Sequence, residues 1–476
     1  MKSAWRQRGA FGILYAIMLP VMLGMIGLAV DLSIMFARGH ELQALADGAA
    51  LAAARALDGT QAGLDAARDS AKHAGEKAQY RFLNPDEFDW SSSALSFSAT
   101  PDGPWINAES VSPEDIASLA FAQVDTSGLD AMYGRVAIAF LRIVGVQGEQ
   151  NLVRRAVAGP KESALGPLAI CAMDSTEISA RSNAPYTGMD EAVEFGFRRG
   201  VGYNLLNLNP IGNTPKNFIM NPLDFAPAPS LASHMSDEVV RPFVCSGSLP
   251  AARLANGSTL YVREPFPLSM LNELNSRFAS YANGSVCNKI GAPPDANIID
   301  FRGAYPGFWM AGAALPLRAS ATPLASGSRL ATVADASPLP PGTLASSYGP
   351  LWSFSKPLRY VGGSTGAPFT RSDWSKLYQV SSPPQLTSSY SASLSPYDRG
   401  LSPHRQSPAP LEGIDKRRIL NVPLLQCPVS GNSARVLGIG RFLMTSPATQ
   451  APPAIHAEFG GLATFASLTA SAVLYK

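Results

Sequence analysis

From Gly9 to Val30 the chain reads GAFGILYAIMLPVMLGMIGLAV, 22 residues without a charge. Wound as a helix they rise about 33 Å, the thickness of a bilayer's hydrocarbon core. Lys2, Arg6 and Arg8 precede the run with no acid among them, whereas Asp31, Arg38 and Glu41 follow with mixed sign. That bias keeps the N-terminus cytoplasmic and sends everything after Val30 across the membrane. The competing reading is a cleaved signal peptide, suggested by the basic start and the small residues near Ala44 to Ala46. A secretory apolar core is usually only about 7 to 15 residues, so an anchor is the better expectation. Pro20, Gly24 and Gly27 would kink or thin the helix and admit another helix at close range, or are simply tolerated in lipid.

The helical pattern does not stop at the membrane. DLSIMFARGHELQALADGAALAAARALDG has no proline, is rich in strong helix formers and ends at Asp58-Gly59, a C-terminal stop signal. One helix from about Ala10 to Leu57 would be roughly 70 Å long. Its second half carries alanine on most faces, which suits close packing better than exposure to water. The neighbour can be this chain's own domain or another subunit.

These residues carry a resemblance. Arg8-Gly9, Leu19-Pro20, Gly27-Leu28-Ala29-Val30-Asp31, Leu42-Gln43, Ala46-Asp47 and Ala50 to Ala54 are similar to the N-terminal segment of TadG-like proteins of bacterial tight-adherence (Tad/Flp) pilus systems. The resemblance implies a single-pass accessory protein of pilus assembly. Its partners would be the cytoplasmic membrane and pilin or pilus-assembly proteins, and Gly9, Leu19, Pro20, Gly24, Gly27 and Asp31 would be its anchor residues. Prepilin-like relatives carry a glutamate five residues after the glycine, where this chain has Leu14. A permanently anchored protein is therefore expected rather than a processed major pilin.

Composition narrows the rest. The chain has 476 residues, 46% of them hydrophobic, enough for two or three domains with real cores. A net charge of +2 and 16% charged residues offer no basic face for a phosphate backbone, so nucleic acid is not an expected partner. Cys171, Cys245, Cys287 and Cys427 are widely spaced with no CxxC pair, which disfavours zinc and redox motifs. In an oxidising compartment they permit two disulfides in any of three connectivities; otherwise they are buried thiols.

The expected fold class is α+β. The anchor helix over 1–60 leads into a membrane-proximal α+β module over 61–160. A larger sheet-rich α/β or α+β exported domain over 161–476 follows, with a Ser/Pro-rich insertion over 318–413. The module should hold a short amphipathic helix from Gln61 to Phe82, strands at Leu95, Leu119 and Asn151, and an apolar helix from Met132 to Val144. The larger domain should hold strands at Pro167, Ser258, Asn297, Arg418, Ala434 and Ala454, and a helix from about Ser269 to Ala282. Tyr348, Trp352, Phe354, Tyr360, Phe369, Trp374 and Tyr378 suggest that the middle of the insertion is packed, although a binding role stays open.

Catalytic patterns are weak. Gly362 to Gly366 fits GxSxG around Ser364, but Pro368 and the polar residues beyond it do not support the helix a nucleophile elbow needs. His404 and His456 could be imagined as its bases. PLAICAMDSTEIS resembles the first strand and metal loop of a von Willebrand A domain. Asp174, Thr176 and Ile178 occupy the Asp-x-Ser-x-Ser positions, so the third oxygen ligand is missing. His40, His73 and His234 belong to no HExxH motif, and there is neither a P-loop nor a GxGxxG. No catalytic residue, cofactor or metal is expected. A non-enzymatic pilus accessory protein leads, followed by a minor tip subunit or adhesin and then a secreted hydrolase.

Overall fold

A long uninterrupted helix, α1 (Ala10–Ala56), opens the computed structural model and runs through Pro20. The structure describes residues 10–57, 60–77, 88–116, 119–138, 140, 149–160, 162–184, 186–224, 226, 229–250, 257–282, 285–300, 322–323, 330–331, 352–373, 376–377, 394–398, 405–463, 468 and 472–475. Asp58-Gly59, Gly9 and most of the Ser/Pro-rich stretch lie outside them. The chain divides into two compact units, Met1–Lys161 with Ser471–Lys476, and Glu162–Ala470. The fold is α+β, as expected from the sequence.

In unit 1, α2 (Gln61–Lys77) follows α1. Thr60 caps it, its Oγ1 accepting the Gly63 amide at 3.0 Å. Gly63, Leu64, Ala67, Ala71 and Gly75 form its buried face at three- and four-residue spacing. The sheet beneath contains β1 (Leu95–Ser98), β2 (Ile106–Asn107) and β3 (Phe121–Asp125). After a separate hairpin of β4 (Arg135–Ala137) and β5 (Glu149–Asn151) comes β6 (Arg155–Pro160). The sheet order is β2-β1-β3-β6 and then the strand Ala472–Leu474, all antiparallel. The register pairs Leu95 with Val124, Phe97 with Ala122 and Ala122 with Ala158, which puts these small and apolar side chains on one face beneath the two helices.

The expected helix from Met132 to Val144 is corrected. Ala131–Tyr133 is one 3-10 turn capped by Asp130, and Arg135–Ala137 is extended and paired with Glu149–Asn151. Residues 139 and 141–148 of that expectation lie outside the described set. The apolar run at Asn151 is likewise two strands rather than one.

In unit 2 five strands pair into a ring. Ser433–Met444 pairs with Thr259–Arg263, then Asn217–Met220, Leu168–Cys171 and Ile419–Leu425, which pairs back with Ser433–Met444. Only the Leu168–Cys171 and Ile419–Leu425 pairing within it is parallel. His456–Leu462 and Gly202–Asn204 extend the sheet from the far end of Ser433–Met444. Both faces are covered: Ile170, Ile219, Val422 and Phe442 enter one cluster, and Ala169, Phe218, Val262 and Val436 another. Strands buried on both faces read as continuous apolar runs, which is why their sequences lack alternation.

Two expectations in this unit need correction. Ser269 to Ala282 is not one helix but 3-10, α and 3-10 turns over Leu268–Met270, Leu271–Leu274 and Asn275–Phe278, closed by Ala279 at φ 61°. Residues 297–300 form no strand: buried Asn297 spends its side chain on the Ile299 and Gln406 amides and the Tyr397 carbonyl. Within the insertion, Trp352 and Phe369 are buried in the main core, and Leu358–Val361 with Ser364–Pro368 forms a hairpin on Glu191–Glu194. Tyr348, Trp374 and Tyr378 lie outside the described residues.

Candidate anchor and docking helix

The two halves of α1 meet different surroundings. From Leu14 to Val30 nearly every large side chain is exposed, reaching 69% at Tyr15. Leu19 and Pro20 lie in this exposed stretch, and a side chain at Gly24 would meet nothing within 4 Å. Such a stripe of Leu, Ile, Met and Val would not stay bare in water. The helix is long and apolar enough to cross a membrane.

The exit from this stretch is built by close approach. Buried Asp31 accepts the Phe140 amide through Oδ2 at 2.6 Å. The Phe140 ring lies over Gly27, where an added methyl would overlap it. Two turns beyond Asp31, buried Arg38 pairs with Glu41 at 3.1 Å, and Gly39 leaves room for the Arg154 guanidinium. Gly27 and Asp31 are thus brought together, by a partner, Phe140, that the sequence did not single out. The missed signal was an aromatic within a short apolar run, which helical periodicity absorbed.

Beyond this boundary α1 is buried on one side. Leu42, Leu45, Ala46, Ala49, Ala50, Ala53, Ala54 and Leu57 recur at three- and four-residue spacing. Those from Ala46 onward share a cluster with Ala67 and Ala71 of α2 and with Ala122, Ala156 and Ala158 of the sheet. Gln43 reaches the Arg155 carbonyl at 3.3 Å and Asp47 at 2.7 Å, fixing the helix on β6. The expected neighbour of the Ala-rich half is therefore this chain's own sheet.

Residues 9–56 match the family model described as "Putative Flp pilus-assembly TadE/G-like". The match coincides with α1, whose apolar exposed and Ala-rich buried halves together make up the Tad segment. No curated protein and no solved structure matches the chain.

Outside the Tad segment, the sequence candidates become structural features. Ser364 opens the second strand of a hairpin, and its Oγ donates to the Val361 carbonyl at 2.8 Å. A strand-to-helix elbow is absent there, and His404 lies outside the described residues. Asp174 Oδ1 accepts the Thr176 amide at 2.7 Å, a turn at a strand end, and Ile178 begins the next strand. Among the described residues no cluster of three or more His, Cys, Asp or Glu could hold a metal ion.

Cys171 pairs with Cys427 and Cys245 with Cys287. The first bond links the ends of two adjacent strands, where Leu425 lies opposite Cys171. The second ties the helix Asp237–Ser246 to the loop residue Cys287, across a separation of 42 residues. Unit 2 also buries charge. Arg198 holds Glu191 through Nη2 at 2.7 Å, with both groups almost wholly enclosed. Glu458 accepts the Ser353, Phe354 and Ser355 amides and the Ser353 hydroxyl. Burial pushes its carboxyl up to about 7, and these hydrogen bonds oppose the shift. Neither arrangement was visible in the sequence: the Glu458 contacts span more than 100 positions, and Arg198 and Glu191, seven apart, meet only because their strands pair.

Proposed function

We propose that this chain is a single-pass, membrane-anchored accessory protein of Tad/Flp pilus assembly that acts without catalysis. Its N-terminus lies in the cytoplasm, and the disulfide-bonded remainder works at the outer face of the cytoplasmic membrane through contacts with pilin or pilus-assembly proteins. One observation carries this reading. The segment that matches the family model is a helix whose first half presents apolar side chains outward and whose second half is locked onto its own sheet. A helix built that way holds a folded domain at a fixed distance from a bilayer. Gly9, Leu19, Pro20, Gly24, Gly27 and Asp31 form the anchor, Gly27 and Asp31 at its outer end. The modules over 1–60, 61–160 and 161–476 serve as anchor helix, the α+β module on which its second half packs, and exported sheet-rich domain, and the two disulfides suit an oxidising compartment.

The test is a deletion strain scored for pili and surface attachment, with the tagged protein fractionated and its N-terminus read by mass spectrometry. Loss of pili with an intact chain in the membrane fraction is the expected result. Normal pili and attachment would sink the assembly role. A chain trimmed near Gly9 and recovered in sheared fibres would make the protein a pilus subunit despite Leu14.

A further inference from the structure

Phe140 combines features that packing within unit 1 does not explain together. Its backbone is tethered to Asp31 and its ring covers Gly27, yet the residue remains 42% exposed. The α1 side chains at the same level, Ile26 and Val30, are exposed as well, at 57% and 45%. Gly27 precedes Asp31 by one helical turn, roughly 6 Å along the axis. The ring therefore stands at the depth of the last turn of the charge-free run, on a segment that belongs to the folded domain and not to the span.

We infer that Phe140 is a second membrane contact, seated in the outer acyl and headgroup boundary of a phospholipid bilayer beside α1. The inference rests on the reading that α1 spans that bilayer. Aromatic rings concentrate at membrane interfaces, where one side of the ring meets chains and the other meets polar groups. The geometry serves Asp31 too. A carboxylate at the edge of hydrocarbon needs a donor in place of water, and the Phe140 amide supplies one at 2.6 Å. A ring held beside a helix at one depth restricts tilt and sliding, so the domain would be held in orientation as well as in height.

The experiment uses the full chain in vesicles of phosphatidylethanolamine and phosphatidylglycerol. All four native cysteines are paired, so single introduced cysteines take a spin label selectively. Labels at Met22→Cys, Phe140→Cys and His40→Cys are compared by their accessibility to oxygen, which favours lipid, and to a water-soluble nickel complex. The expected oxygen-to-nickel ratio is highest at 22, intermediate at 140 and lowest at 40. A deep label at 22 with an aqueous label at 140 overturns the inference and leaves the anchor standing. An aqueous label at 22 overturns the anchor, and the inference with it. Because the cysteine removes the ring, a second measurement places p-benzoylphenylalanine at 140 and irradiates the vesicles. Phospholipid adducts are expected, and adducts confined to protein would overturn the interfacial seat.

Discussion

Unit 1 closes around α1 with alanine, whereas unit 2 closes around phenylalanine, leucine and methionine and adds two disulfides. Alanine buries little apolar area per residue but lets a helix lie close to a sheet; large side chains bury more and leave larger voids when trimmed. Unit 1 should therefore resist losing atoms and fail on gaining them. Unit 2 should behave in the opposite way and depend on its crosslinks. The apolar half of α1 is a third case, since its side chains meet almost no protein.

The sharpest way to break this contrast is to remove the disulfide that only unit 2 can miss. Replacing Cys245 and Cys287 by serine should cost about 4 kcal/mol from the 42-residue loop it closes. Hydrogen exchange should show the loss in peptides of unit 2 and leave those of α1 and α2 unchanged; equal loss in both would dissolve the distinction. Next in size is Met18→Lys in the exposed half of α1, which should lower membrane insertion by about 3 kcal/mol without altering exchange in the sheet. Carbonate extraction reads the first effect.

Ala49→Leu tests overpacking where α1 meets the sheet and should destabilise unit 1 by about 2 kcal/mol. A neutral result in denaturant titration would mean that the seam has slack. The smallest effect concerns protons. Glu458 is raised from 4.5 to about 7 when folded, so the native state binds the extra proton between those values. Its stabilisation is greatest below 4.5 and is lost as pH climbs through about 7. Between about pH 6.5 and about 7.5 unit 2 should lose less than about 1 kcal/mol. Glu458→Gln should flatten that slope while lowering stability throughout, because an amide cannot accept all four donors.

Legibility tracked the range over which the physics acts. α1 and α2 follow from local composition, and the runs at Leu168, Ile419, Ser433 and His456 are apolar enough to declare buried strands. The strand Glu191–Glu194 was not read because its buried positions include two glutamates, made tolerable by Arg181, Arg198 and Arg199. Met132 to Val144 looked helical because apolar runs do not distinguish a helix from a hairpin that packs on a neighbour. At the anchor, Gly27 and Asp31 could be named from the sequence. Phe140 could not, because its role depends on a tether spanning 109 positions.

The strand Ala472–Leu474 completes the unit 1 sheet against β6, pairing Ala472 with Pro160, while Tyr475 donates to the Val157 and Pro160 carbonyls. Synthesis is vectorial, so the unit that emerges first waits for residues made more than 300 positions later before its sheet is whole. Until then the edge of β6 is unpaired, a site for a chaperone to hold or for a wrong strand to capture.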